Sequence, residues 1–408
     1  MNSEMIFKEA KSLKDTIISN RRYLHTHPGT GFDIEDTLQY VKNELISMGY
    51  EPEECGKAGL TCLVGGKKPG KVFMLRCDMD GLPISEEADV DFPSQNGCMH
   101  ACGHDMHTAM LLGAARILKK HEDDIYGTVK LMFQPAEEIF EGSSAMIKAG
   151  LLTSPYVDAA LMIHVMSGMT FPAGTVVVSS PGVSAPAADY FEITVNGKGC
   201  HGSMPNAGID PLTAAAHILI ALQEINSREL AMSEPAVLTI GKMNAGTASN
   251  VIPDSVVMGG SIRTYDETTR EFIKKRITEI SEGIACSFRA SAKITFGSGC
   301  PTLVNDKEVC SSVEKYVKEL LGPERSFTVA ELNAMSDNIG SSKSAGSEDF
   351  AYISQKIPSV MLALAAGQPE KGYKYPGHHP MVKFDEDALV PGSAVYAYTA
   401  IKWLEEHK

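Results

Sequence analysis

Val72-Phe73-Met74-Leu75-Arg76-Cys77-Asp78-Met79-Asp80 is an apolar run that ends in charge. A short run of large apolar residues reads as a buried strand, and the switch to Arg76, Asp78 and Asp80 puts polar chemistry just past its carboxyl end. Three other segments repeat the pattern. Val129-Lys130-Leu131-Met132-Phe133 leads to Gln134-Pro135-Ala136-Glu137-Glu138, and Ala159-Ala160-Leu161-Met162-Ile163 leads to His164. Val360-Met361-Leu362-Ala363-Leu364 leads to the loop holding Gly377-His378-His379-Pro380. Helical spacing separates these runs, as in Ile6, Ala10, Leu13 and Ile17, and Thr108 to Lys120 reads as an amphipathic segment. The alternation predicts an α/β class with a central sheet and flanking helices. In open α/β sheets the ligand crevice lies at the carboxyl edge of the strands, so the four segments are expected to converge there.

From about Ala185 to Ser298 the rhythm changes. Asp189 to Val195 alternates, Pro211 to Ile225 reads as a helix, and Ala236 to Ile240 and Ser255 to Ile262 read as strands. A helix from Thr268 to about Ile284 and a strand from Ala292 to Phe296 follow. Strand, helix, strand, strand, helix, strand is the order of a ferredoxin-like α+β unit. The expected organisation is a discontinuous metal-binding domain, 1–184 with 299–408, interrupted by an inserted domain at 185–298.

Composition narrows the partners. The chain of 408 residues exceeds one comfortable core, and a net charge of −14 argues against nucleic acid or an anionic membrane surface. A small molecule is the expected partner. Met1 to Lys8 does not read as a signal peptide, and no apolar run reaches membrane-spanning length. Nine cysteines, an odd number, suit a reducing compartment better than a disulfide framework, which points to the cytoplasm.

The chemistry concentrates in Met99-His100-Ala101-Cys102-Gly103-His104-Asp105-Met106-His107. A free cysteine is most often a small buried hydrophobe, and a single histidine is usually a hydrogen-bonded core or surface residue. A thiol and three imidazoles within nine residues are better explained as part of a metal site, because a borderline transition metal prefers those ligands. Adjacent carboxylates such as Glu137-Glu138 usually mean a solvated patch, yet these two follow a buried strand. On an extended or irregular segment their side chains point different ways. One can then ligate while the other serves as base. A bound divalent ion lowers the pKa of its water to about 7, and a neighbouring carboxylate takes the proton and passes it to a leaving nitrogen.

Taken with Arg21-Arg22-Tyr23-Leu24-His25, Gly81-Leu82-Pro83, His164-Val165, Gly346-Ser347-Glu348-Asp349-Phe350 and Asp385 to Leu389, these segments resemble the aminoacylase and carboxypeptidase-type metallohydrolases. Their N-acyl-amino-acid amidohydrolase branch, with hippurate hydrolase and the indole-acetyl-amino-acid hydrolases, is the nearest in pattern. The resemblance implies a site for two divalent ions held by Cys102, His104, Glu138, His164 and His378, with Glu137 as general base. Zn2+ or Mn2+, and also Co2+ or Ni2+, suit such ligands. Asp80 is expected behind the ligands, fixing an imidazole, while His107 and His379 read as bystanders and Asp105 as a helix cap. In the insert, Gly197-Lys198-Gly199-Cys200-His201-Gly202-Ser203 matches the family segment whose histidine stabilises the oxyanion, so His201 is a catalytic candidate. Asn250 and Arg263 are candidates for substrate contact. The family's insert also mediates dimerisation, which implies a homodimer.

The chain departs from the pattern at Gly29-Thr30, Cys77, Gly81 and Cys200, none of which removes a ligand or the base. Expected substrates are N-acyl L-amino acids, hippurate-like or N-acetyl, with Met166, Met169 and Phe171 as candidate lining of an apolar pocket. A dipeptidase or metallocarboxypeptidase would use the same metals, and a non-catalytic metal or acyl-amino-acid binding protein would have no use for Glu137.

Overall fold

The four apolar runs form four adjacent strands. In the computed structural model, which describes residues 1–335 and 346–408, Tyr126–Gln134, Lys68–Asp78, Ala159–Met166 and Ser359–Ala365 lie side by side in that order. The four are mutually parallel, while the strands that flank them on either side, Leu60–Gly65 and Val176–Val178, pair antiparallel. Parallel strands are covered on both faces, which is why they read as unbroken apolar runs. Phe73, Leu75, Val129, Leu161 and Leu362 are completely buried. Shorter strands widen the sheet to eight: Glu53–Glu54 and Leu60–Gly65 on one side, Val176–Val178 and Ser326–Thr328 on the other.

One compact unit holds residues 1–184, 304–335 and 348–408; residues 185–303 together with 346–347 form a second. In the first, the helix His104–Lys120 packs on the strand Lys68–Asp78 and is covered by the helices Lys14–Thr26 and Leu389–Glu406. Being enclosed on several sides, it buries His104 through Ala115 continuously. The expected amphipathic segment is therefore a core helix, and it begins earlier, at His104. The Lys120 end alone keeps polar exposure.

The second unit is a four-stranded antiparallel sheet, Ala236–Ala245, Ser255–Thr264, Ala187–Asn196 and Ser291–Cys300 in spatial order. The helices Pro211–Ala221 and Glu267–Ser287 pack on it around Ile193, Ile218, Met258, Ile262 and Ile273. Asp210 caps the first helix with Pro211 at its first turn, and Asp266 caps the second. The order is ferredoxin-like. The last strand continues past residue 298 because Cys300 still pairs with Ala188, so this unit runs to Leu303. Among the described residues no helix is long and apolar enough to cross a membrane.

Candidate metal centre

Local backbone geometry aims the donors. Gly103 takes a left-handed conformation at φ 87° and turns the chain so that Cys102 precedes the helix while His104 opens it. A Cβ on Gly103 would collide with Val165 Cγ2, so only glycine fits. After the strand Tyr126–Gln134, Ala136 adopts φ 55°, and His378 itself sits at φ 66°. Positive φ at non-glycine residues costs of order 1 kcal/mol and clusters where a functional side chain must be aimed. Here it brings Glu137 and Glu138 together beside His104 Nε2 and His378 to the site.

The donor atoms meet in one unit. Cys102 Sγ lies 3.4 Å from His164 Nε2. Glu138 lies between two imidazoles, its Oε1 3.8 Å from His104 Nε2 and its Oε2 3.5 Å from His378 Nε2. Two overlapping sets result, Cys102 with His104 and His164, and Cys102 with Glu138 and His378, each with its donor atoms within 4.8 Å of one another. His104 Nδ1–H donates to the Asp80 carbonyl at 2.7 Å and His164 Nδ1–H to the Val165 carbonyl at 2.8 Å. Carbonyls only accept, so on both rings Nδ1 carries hydrogen and Nε2 is the nitrogen turned to the centre. His104 Nε2 and Glu138 Oε1 are buried without a hydrogen-bond partner. Leaving such atoms unmade costs about 1–3 kcal/mol each, and a cation between them removes that cost, so the residues present fit a metal.

Asp80 differs from expectation. Its carbonyl, not its carboxylate, orients His104, while the carboxylate accepts the Glu137 amide at 3.0 Å and the Glu138 amide at 3.2 Å. Asp80 therefore fixes the carboxylate pair as well as an imidazole. His107 is fully committed elsewhere: Nδ1–H donates to Asp78 Oδ1 at 2.6 Å, and Nε2 accepts the Val165 amide at 2.8 Å. With no lone pair left, it braces the strand beside His164.

His201, Asn250 and Arg263 belong to the second unit. There Gly202 N–H donates to the Asn250 carbonyl at 2.8 Å, and Val251 pairs with His201. The exposed His201 accepts the Ser203 amide on Nδ1 at 3.1 Å, which leaves its Nε2–H as a donor. Arg263 lies over the Tyr190 ring and donates to the Tyr190 hydroxyl at 3.2 Å.

Residues 74–402 match the model of peptidase family M20/M25/M40. The chain belongs to that family. It is 37% identical over 407 residues to "Thermostable carboxypeptidase 2" of Saccharolobus solfataricus, covering 98% of each chain. It is 39% identical over 312 residues to "N-acyl-L-amino acid amidohydrolase" of Geobacillus stearothermophilus, covering 76% of this chain and 83% of that one. A solved Bacillus subtilis structure described as a dinuclear metal-binding peptidase from the M20 family superposes with a TM-score of 0.75 at 30% identity, covering 97% of this chain and 99% of the other. The chain is thus a hydrolase of the M20 family with a metal-binding constellation.

The electrostatics of this M20 centre follow from burial and crowding. Burial and the neighbouring Glu138 push the Cys102 thiol up to about 12, so thiolate forms there only with a cation present. Burial, with help from Asp80 and Asp78, pushes Glu138 up to about 7. Burial holds His164 down to about 3, neutral and ready to ligate, and burial with His104 also lowers His378. Burial, Glu348, Glu138 and Asp349 raise Glu137 well above the carboxylate range.

Beneath the centre lies a network that the spacing of motifs did not reveal. Arg76, fully buried, donates to Gln134 Oε1 at 2.9 Å, Asp78 Oδ2 at 2.8 Å, Glu348 Oε1 at 2.9 Å and Asp349 Oδ1 at 3.2 Å. Asp349 also accepts from Gln134 Nε2 at 2.6 Å and the Ser143 amide at 3.0 Å, and its own amide donates to Glu137 Oε1 at 3.3 Å. The available signal was an arginine inside an otherwise apolar strand run.

Proposed function

We propose that this chain is a metal-dependent amidohydrolase that cleaves N-acyl L-amino acids, hippurate-like or N-acetyl, to a carboxylate and a free amino acid. The observation that carries the reading is Glu137, a buried carboxylate beside the ligand set, held by the Asp349 amide with its Oε2 4.0 Å from His104 Nε2. Cys102, His104, Glu138, His164 and His378 would hold two divalent ions. Zn2+ or Mn2+ are favoured and Co2+ or Ni2+ are compatible with thiolate, imidazole and carboxylate together. Bound there, such ions polarise the acyl carbonyl and make water a nucleophile near neutral pH.

The rest falls to this chain's side chains. Glu137 accepts the proton of the attacking water and returns it to the leaving nitrogen, so the amine departs neutral. Its raised basicity suits both transfers. His201 is assigned the developing oxyanion, and its free Nε2–H supports that role. Asn250 and Arg263 are assigned the substrate's carboxylate or acyl oxygen. We also infer a homodimer through the second unit, which exposes Leu212, Ile220, Val237 and Met243. Nine cysteines with no disulfide among them fit a cytoplasmic setting.

The similarity to a relative named as a carboxypeptidase supports a second reading, a dipeptidase or metallocarboxypeptidase. The two separate on a free α-amino group in the substrate. Amino-acid release from N-acetyl amino acids, hippurate and dipeptides by metal-loaded protein is expected for the acylated substrates. Cleavage of dipeptides alone assigns the second reading, and no cleavage by fully loaded protein removes both.

A further inference from the structure

Behind the centre, a buried histidine outside the ligand set joins the helix that carries His104 to a strap that contacts the segment carrying His378. His25, on the helix Lys14–Thr26 and 3% exposed, lies with Nδ1 2.9 Å from Asp105 Oδ2 and Nε2 3.0 Å from Glu86 Oε1. Asp105 directly follows His104. Glu86 sits in the segment from Leu82 to Met99, whose ends are clipped by two mutual backbone hydrogen bonds of 2.9 Å. From that strap, the Glu87 amide donates to the Pro380 carbonyl at 2.8 Å, two residues beyond His378. Glu86 also receives the Ser94 amide at 2.7 Å, and the Phe92 ring packs edge-on against His25.

We propose that His25 is a positioning residue: by bridging Asp105 and Glu86, it fixes the segment carrying His378 relative to the helix carrying His104. The inference rests on reading those two histidines as ligands. Both of its partners are carboxylates, which only accept, so the bridge requires both ring nitrogens to carry hydrogen. The surroundings supply that charge state. Asp105 from the helix His104–Lys120 and Glu86 from the strap face the ring with negative charge; Arg21 on its own helix and the buried His100 face it with positive or neutral groups. Arg22 and Glu386 complete the cluster around Phe92. Two anions thus meet two cations, and a neutral His25 would leave one carboxylate against a lone pair. The balance is lost on the alkaline side, where the imidazolium gives up its proton.

The test uses the full chain as wild type, His25→Gln and Glu86→Gln. Hydrogen exchange of residues 376–384 in metal-free protein reads the segment that carries His378, and Zn2+ competition with a chromophoric chelator reads the ligands. Both variants are expected to lose at least about ten-fold protection in 376–384 and to weaken one of the two Zn2+ sites about ten- to a hundred-fold. In Glu86→Gln the pH at which protection is lost moves down, because the carboxylate that favours the imidazolium is gone. A packing role alone would leave that midpoint unmoved. Unchanged protection in both variants overturns the proposal. If His25→Gln does not fold, Glu86→Gln decides, since it keeps shape and removes only charge. If the wild type binds no Zn2+, the proposed function fails while the exchange measurement still decides the positioning role.

Discussion

Two clusters of charge sit at the carboxyl edge of the same sheet and differ in how their atoms are satisfied. Around Arg76, every neighbour is matched: Asp78, Gln134, Glu348 and Asp349 each receive a donor within 3.2 Å. Around Cys102, His104 Nε2 and Glu138 Oε1 lie 3.8 Å apart and neither has a hydrogen-bond partner. Equal burial therefore serves opposite ends. The matched cluster is scaffold, because its ions hold one another; the unmatched one is a ligand set, because its atoms need something from outside.

The comparison breaks most readily through Arg76. Arg76→Met strands three buried carboxyl groups, and a loss of about 3–5 kcal/mol is expected in urea unfolding of metal-free protein. Glu138→Gln, in the other cluster, is expected to leave metal-free stability within about 1 kcal/mol of wild type while abolishing metal-dependent activity. A large destabilisation by Glu138→Gln, or none by Arg76→Met, would erase the distinction.

Metal removal gives the next largest effect. With free Zn2+ at a hundred to a thousand times its dissociation constant, linkage adds about 3–4 kcal/mol to the folded state, so chelation should lower the thermal midpoint of wild type. In Glu138→Gln the same chelator should shift it far less. His107 sharpens the boundary between clusters, since it touches the ligand segment yet has both nitrogens engaged. His107→Gln is expected to weaken metal binding about ten- to a hundred-fold in a competition titration, without changing the number of ions bound. Loss of one ion outright would make His107 a ligand.

The smallest effect is alkaline. Burial opposes it, but hydrogen bonds to Asp105 and Glu86 raise His25 above its ordinary 6.5. A cation so raised contributes stability fully below 6.5 and loses it as pH rises through the folded value. His25→Gln should therefore flatten the alkaline fall in stability, by about 1.4 kcal/mol for each pH unit of elevation. An unchanged slope would remove His25 from the matched class.

The contrast also marks what the chain discloses in one dimension. The four strands and the residues at their ends were legible because each run and its ligand-type residue are contiguous, as in Ile163-His164 and Phe133 to Glu138. The matched cluster was not, because Arg76 finds Glu348 across 272 residues and His25 finds Asp105 across 80. Pairing at such separation is created by packing and leaves no local period. Asp80 shows an intermediate case: its presence near the centre was readable, but whether carbonyl or carboxylate orients His104 depends on the backbone turn. Strands of three residues such as Val176–Val178 and Ser326–Thr328 carry too little alternation to be seen, and burial from several sides hid the true character of the helix at His104.

Glu137 carries the central claim, and one sample tests it. Metal content and amino-acid release are measured together on Glu137→Gln loaded with Zn2+ or Mn2+ beside wild type, using an N-acyl amino acid that wild type cleaves. The account predicts two ions per chain in both proteins and a rate in the variant lower by about a hundred- to ten-thousand-fold. A variant that binds both ions and keeps the wild-type rate would contradict it.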